Sequence, residues 1–67
     1  MELQEILDRF EQARDRARIA GMGQGRAWKG IEARWVRVSG LLALALDCLL
    51  DGDRDGASAW VNFSERN

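Results

Sequence analysis

The first third of the chain carries one apolar stripe with the period of an α-helix. Its apolar positions are separated by three and four residues in alternation, which places them on one helical face. Acidic residues lead the segment and arginines end it, as the helix dipole favours, and Gly21 is a typical helix stop. The pattern predicts a first helix over about residues 2–20, with a stripe of Leu3, Ile6, Phe10, Ala13, Ala17 and Ala20.

A second apolar stripe with the same spacing follows a predicted loop over residues 21–24. It predicts a second helix over about residues 25–50. Ser39-Gly40 is a candidate break in that helix, because such pairs occur at helix kinks. The stripe consists of Trp28, Ile31, Trp35, Val38, Leu42, Ala45 and Leu49.

An antiparallel pairing of the two predicted helices brings large side chains opposite small ones, which fills a core without voids. We therefore predict an all-α fold, an antiparallel helical hairpin within a single domain over residues 1–67. A dimer in which the helices pair between chains would use the same stripes, and the sequence leaves that alternative open. The predicted facing pairs are Ala20–Trp28, Ala17–Ile31, Ala13–Trp35, Phe10–Val38, Ile6–Leu42 and Leu3–Ala45, flanked by the ion pairs Glu11–Arg37 and Arg16–Glu32.

Residues 51–56 present alternating aspartates followed by a glycine, which resembles the first half of an EF-hand calcium loop. The bidentate glutamate that such a loop needs at its twelfth position is replaced by Asn62. The other interpretation is a turn over residues 51–53, followed by a short helix over about residues 54–64 that Asp53 caps. We favour the turn, and keep Asp51, Asp53 and Asp55 as an alternative metal site.

After Val38 the second helix is apolar on nearly all sides, and a helix of that kind is buried. One partner helix covers one side of it, and residues 57–63 form too short a segment to cover the rest. The excess apolar surface predicts a homodimer that forms a helical bundle. The predicted dimer interface consists of Leu41, Leu44, Leu46, Cys48 and Leu50.

Composition excludes several kinds of chemistry. The single Cys48 rules out an internal disulfide, and without histidine a structural zinc site is not expected. The absence of histidine and tyrosine also removes the usual proton shuttles, so we expect neither an enzyme nor a bound cofactor. The longest uncharged run in the apolar region, residues 38–46, is far shorter than the roughly 20 residues of a membrane span. We expect a cytoplasmic protein.

The charges are segregated along the chain. Residues 14–37 carry seven basic and two acidic side chains, whereas both flanking regions are acidic and the net charge is −1. In a hairpin this basic region surrounds the loop. It favours a regulator or inhibitor that binds a larger, acidic protein, with nucleic acid as the alternative partner. The candidate partner-binding residues are Arg14, Arg18, Arg26, Lys29, Arg34, Arg37, Trp60 and Phe63.

Overall fold

The computed structural model describes residues 2–66, which form three α-helices. They are α1 (Leu3–Gly21), α2 (Arg26–Leu50) and α3 (Arg54–Arg66), and the described residues contain no strand. The all-α prediction is confirmed. Helix α2 continues without a break through Ser39 and Gly40, where the Ser39 hydroxyl donates a hydrogen bond to the Val36 carbonyl at 2.8 Å.

Helices α1 and α2 lie side by side and run in opposite directions, joined by residues 22–25. The start of α1 borders the same surface hollow as Leu49 and Leu50, while Gly21 at its end lies next to Glu32. These contacts agree with a hairpin closed within one chain. Both predicted stripes supply the buried core, which contains Ile6, Ala13, Ala20, Val38, Leu42 and Ala45.

The turn before α3 has the geometry of a helix stop followed by a helix cap. Gly52 adopts a positive φ of 82°, and the Asp53 and Gly52 amides donate to the carbonyls of Cys48 and Leu49 at 2.7 and 3.0 Å. This is the Schellman arrangement. The Gly56 amide then donates to the Asp53 carboxylate at 2.9 Å, which confirms Asp53 as the predicted cap of the third helix.

We expect Asp53→Ala to lower the free energy of unfolding by about 1 kcal/mol, because the first-turn amide of Gly56 loses its acceptor. Thermal unfolding followed by circular dichroism should show a midpoint lower by roughly 4–8 °C. Asp55→Ala is the matched control, since it removes the same charge from the same turn, and no side-chain hydrogen bond of Asp55 is seen in residues 2–66. Equal losses in the two variants would show that charge, and not the cap, is responsible.

Helix α3 packs on α2 through Ala57, Val61 and Ser64, which are buried. It runs back along the second half of α2 and extends to Arg66, beyond the predicted end at residue 64. At 1.5 Å per residue it covers only about 20 Å of the roughly 37 Å length of α2. One end of the molecule is therefore a three-helix arrangement, and the end that carries the 22–25 loop consists of two helices.

The two-helix end is less buried than the stripe predicts. Trp28 and Ile31 were expected in the core, but 43% and 42% of their surfaces are exposed. The reason is that α1 offers only small side chains there and α3 ends before reaching them. The Trp28 ring lies against Gly23 of the loop, where any added Cβ would overlap it.

The ion pairs of the hairpin also differ from the predicted ones. Within residues 2–66, neither Glu11–Arg37 nor Arg16–Glu32 forms; the ion pairs seen are Arg9–Glu65 and Arg18–Asp15. The predicted partners are long, exposed side chains, for which a fixed pairing gains little free energy.

None of the helices in residues 2–66 combines the length and the apolar character required to cross a membrane. The cytoplasmic location stays a prediction.

Candidate functional site

A groove between α1 and α2 opens where α3 ends. Its floor is apolar and is formed by Ala13, Trp35, Val38 and Leu42. Arginines from both helices line it, Arg9 and Arg16 from α1 and Arg34 from α2, together with Gln12. Ser64 and Glu65 of α3 close one end. The groove has a volume of about 310 Å³ and combines an apolar floor with a positively charged lining.

The arginines of the groove are held by different contacts. The Arg9 guanidinium forms an ion pair with Glu65 of α3. The Arg16 guanidinium lies over the Trp35 ring, 4.7 Å from its centroid, in a cation–π contact. Among residues 2–66, no carboxylate lies within ion-pair distance of Arg16. Its charge therefore faces the groove without a compensating acid from the described chain.

The apolar floor continues toward the loop along the stripe of α2. Ile31 lies one helical turn before Trp35, and Trp28 lies nearly one turn further. Both are partly exposed, and Ile19 and Met22 on the neighbouring end of α1 are exposed as well. The groove thus leads into an apolar surface at the loop end of the hairpin.

The predicted partner-binding residues do not form one site. Of these, only Arg34 lines the groove. Arg14 and Arg18 border a separate hollow with Glu11 and Asp15, where acidic neighbours offset their charge. Arg26, Lys29 and Arg37 are exposed elsewhere on α2.

The aromatic members of that predicted set lie on α3. Trp60 is partly buried against the core, and Phe63 is exposed; their rings meet edge to face at a centroid distance of 6.2 Å. Neither ring lines the groove. The contact with Phe63 covers one side of Trp60, and a role of this pair in binding a partner stays a prediction.

The residues predicted for a dimer interface fall into two groups, some packed against the core or half-buried and some exposed. Leu46 and Cys48 pack against the core, and Leu41 is half-buried. Leu44 and Leu50 remain exposed. Because Leu46 and Cys48 pack against the core, only Leu44 and Leu50 of this set remain as exposed apolar surface of α2.

The aspartates of the 51–55 turn do not converge. Asp53 accepts the capping hydrogen bond from Gly56, and Asp51 is the residue that caps α2. Across residues 2–66 there is no group of three acidic or thiol side chains placed to hold a metal ion. The local geometry gives Asp53 a structural role as the cap of α3.

Sequence reasoning missed Arg9 and Arg16 as members of the groove. A signal for them exists: each follows a buried stripe residue, Ile6 or Ala13, by three positions, so both lie on the same flank of the stripe. What the pattern does not provide is the side on which α3 docks. That side decides which flank of α1 borders the groove.

The chain matches no known protein family model, no curated protein and no solved structure. The chemistry of the groove therefore supplies the functional proposal.

Proposed function

We propose that this protein is a non-catalytic interaction protein, a regulator or inhibitor that binds an acidic, amphipathic helix of a larger protein in the groove between α1 and α2. The observation that carries the proposal is the groove itself, an apolar floor lined by Arg9, Arg16 and Arg34 that α3 leaves open toward the loop. Aromatic and arginine side chains together are the residue types that dominate binding energy at protein interfaces.

Helix α3 supplies an internal template for the partner. It lies on the hairpin with Ala57, Val61 and Ser64 inward, and its Glu65 pairs with Arg9 of α1. An incoming helix that continues this path would place apolar residues on Ile31 and Trp35. An acid on its flank would meet Arg16, two turns beyond Arg9 on the same side of α1. An amphipathic helix in a groove is a recurrent mode of recognition.

A photo-crosslinking residue at position 31 tests this proposal. We expect it to capture a protein from an extract of the source cell, because Ile31 lies on the exposed apolar surface that continues the groove floor toward the loop. The same residue at position 59, on the exposed face of α3, is the positional control. Peptide mapping of the adduct should identify an acidic helix as the captured segment. Capture at position 31 no stronger than at position 59 would contradict the proposal.

Charge reversal supplies the second readout. We expect Arg16→Glu combined with Arg34→Glu to weaken binding of the captured segment by about tenfold or more, since each reversal replaces an attraction by a repulsion of roughly 1 kcal/mol. Arg14→Glu combined with Arg18→Glu is the matched control, because it makes the same change of charge on the other flank of α1, away from the groove. Equal losses in both proteins would indicate a general charge effect without a defined groove.

The crosslinking experiment also distinguishes the alternative partner, nucleic acid, from a protein partner. An adduct at position 31 that nuclease digestion returns to nearly the mass of the free chain would identify it. A labelled duplex and a single strand should then bind at low salt and lose affinity steeply as salt rises. Against this alternative, Asp15 and Glu32 interrupt the basic region and the pI is about 5.3.

A further inference from the structure

The outer face of α2 carries an exposed stripe that neither α1 nor α3 contacts. Helices α1 and α3 pack on the side of α2 that buries Val38, Leu42 and Ala45. The opposite side is exposed at every position of the stripe, and two of its apolar members, Val36 and Leu44, expose 55% and 42% of their surfaces. The outer stripe consists of Lys29, Ala33, Val36, Gly40, Leu44, Asp47 and Asp51.

Gly40 lies in the middle of the outer stripe and has no structural explanation within the chain. A Cβ added there would meet nothing within 4 Å. Glycine in a helix interior lowers helix stability by about 1 kcal/mol relative to alanine. Glycine would allow a second helix to pack closely against α2 at this position, whereas a larger side chain would hold it further away.

The stripe is symmetric about Gly40. Its other members lie four, seven and eleven residues away on each side. If a second copy of α2 docks antiparallel, with a twofold axis through Gly40, Val36 faces Leu44 of that copy and Lys29 faces its Asp51. The twofold axis repeats each contact at the other end of the interface.

Charge is complementary in this arrangement. The half of the outer stripe before Gly40 begins with Lys29, and Arg37 lies beside it on the helix surface. The half after Gly40 carries Asp47 and Asp51. Within residues 2–66 none of these four side chains forms an ion pair. Antiparallel docking brings the basic half of each copy against the acidic half of the other, whereas parallel docking would bring like charges together. Complementary charge of this kind fixes register and orientation.

We propose that the chain forms a twofold homodimer through the outer stripe of α2, antiparallel and centred on Gly40. The occupant of this face is a second copy of the same chain. The interface shares only Leu44 with the set of interface residues predicted from sequence, because Leu46 and Cys48 pack against the core and Leu41 is half-buried. The proposal stands independently of the groove, which lies on the opposite side of α2.

Sedimentation across a concentration series measures the association. We expect a particle of twice the 7.6 kDa chain mass, which dissociates on dilution. Leu44→Asp should raise the dissociation constant by about tenfold or more, since it places a carboxylate in the apolar centre of the interface. Ile19→Asp, at an exposed apolar position of α1, should leave it unchanged. A wild-type chain that remains a monomer at all concentrations overturns the proposal.

A charge-swap mixture tests orientation and register. Lys29→Glu alone and Asp51→Lys alone each place like charges opposite each other at both ends of the dimer, so each chain should associate about tenfold more weakly. An equimolar mixture should recover the wild-type association, because both ends then pair opposite charges. A mixture no stronger than its components would exclude the antiparallel register, even if the wild-type chain is a dimer.

A cysteine at the twofold axis supplies a covalent readout of the interface, because a disulfide joins residues whose Cα atoms lie only about 4.4–6.8 Å apart. In a Cys48→Ser background, Gly40→Cys should form a disulfide-linked dimer under mild oxidation, because only a residue near the twofold axis meets its own copy. Ala59→Cys on the exposed face of α3 is the control. Equal crosslinking at the two positions would show random collision and overturn the proposal.

Discussion

Ile6→Ala is expected to lower the free energy of unfolding by about 2–5 kcal/mol, the range measured for truncating large buried aliphatic side chains. Ile6 is 0% exposed and lies in the core cluster with Leu42, Ala45 and Val61. It is therefore surrounded by residues of all three helices. Its removal leaves a cavity that α1, α2 and α3 would all have to close.

The expected loss is a large fraction of the free energy of unfolding of the whole domain. Folded proteins are stable by roughly 0.05–0.15 kcal/mol per residue, which for 67 residues gives about 3–10 kcal/mol. We expect the thermal midpoint of the Ile6→Ala protein to fall by on the order of 15 °C. Circular dichroism at 37 °C should then show a substantial unfolded fraction.

Ile19→Ala is the matched control for Ile6→Ala. It makes the same chemical change in the same helix, but 59% of Ile19 is exposed. We expect a loss within about 0.5 kcal/mol, as for other surface substitutions. If the two variants unfold at the same temperature, Ile6 is not the centre of the core.

The hairpin could be predicted from sequence because both stripes have a strict helical period and because antiparallel pairing places the alanines of the first stripe opposite large residues of the second. Gly52 and Asp53 can also be recognised from the local sequence as a helix stop and a helix cap. These features depend only on residues within a few positions of each other. Local features of this kind can be identified in a sequence without knowing how the helices pack together.

The depth of burial could not be predicted from the same stripes. Trp28 and Ile31 continue the apolar pattern of Trp35 and Val38 without interruption, yet they lie at the two-helix end of the molecule. Their exposure depends on where α3 ends, which is a tertiary property. An apolar stripe indicates which face of a helix turns inward, and the neighbouring helices decide how far along it burial extends.

Which residues line the groove could not be predicted from the sequence for the same reason. The basic character of residues 14–37 is visible in the sequence, but charge alone does not distinguish Arg14 from Arg16. Packing does: Arg16 lies over Trp35 in the groove, and Arg14 lies over Phe10, 5.7 Å from its ring centroid. The two arginines are two positions apart, which places them about 200° apart around α1, and they therefore face different surroundings.

Val61→Asp is expected to detach α3 from the hairpin. Val61 is fully buried and is, with Ile6, one of the largest completely enclosed side chains. A carboxylate at this position would lose its hydration, and the core cluster around Val61 in residues 2–66 contains no cationic side chain to pair with it. Burial of an unpaired charge is strongly unfavourable. The chain can avoid it by releasing α3 into water.

Release of α3 should be visible as a regional loss of protection. We expect amide hydrogen exchange in residues 54–66 of the Val61→Asp protein to accelerate by a hundredfold or more, on the order of 3 kcal/mol of lost docking free energy. Ala59→Asp is the control, because it introduces the same side chain on the exposed face of the same helix. Helix α1 should lose less protection than α3, since its contacts with Leu42 and Ala45 remain. Protection that stays high in residues 54–66 would mean that α3 does not depend on Val61, and the docking described for this helix would then be wrong.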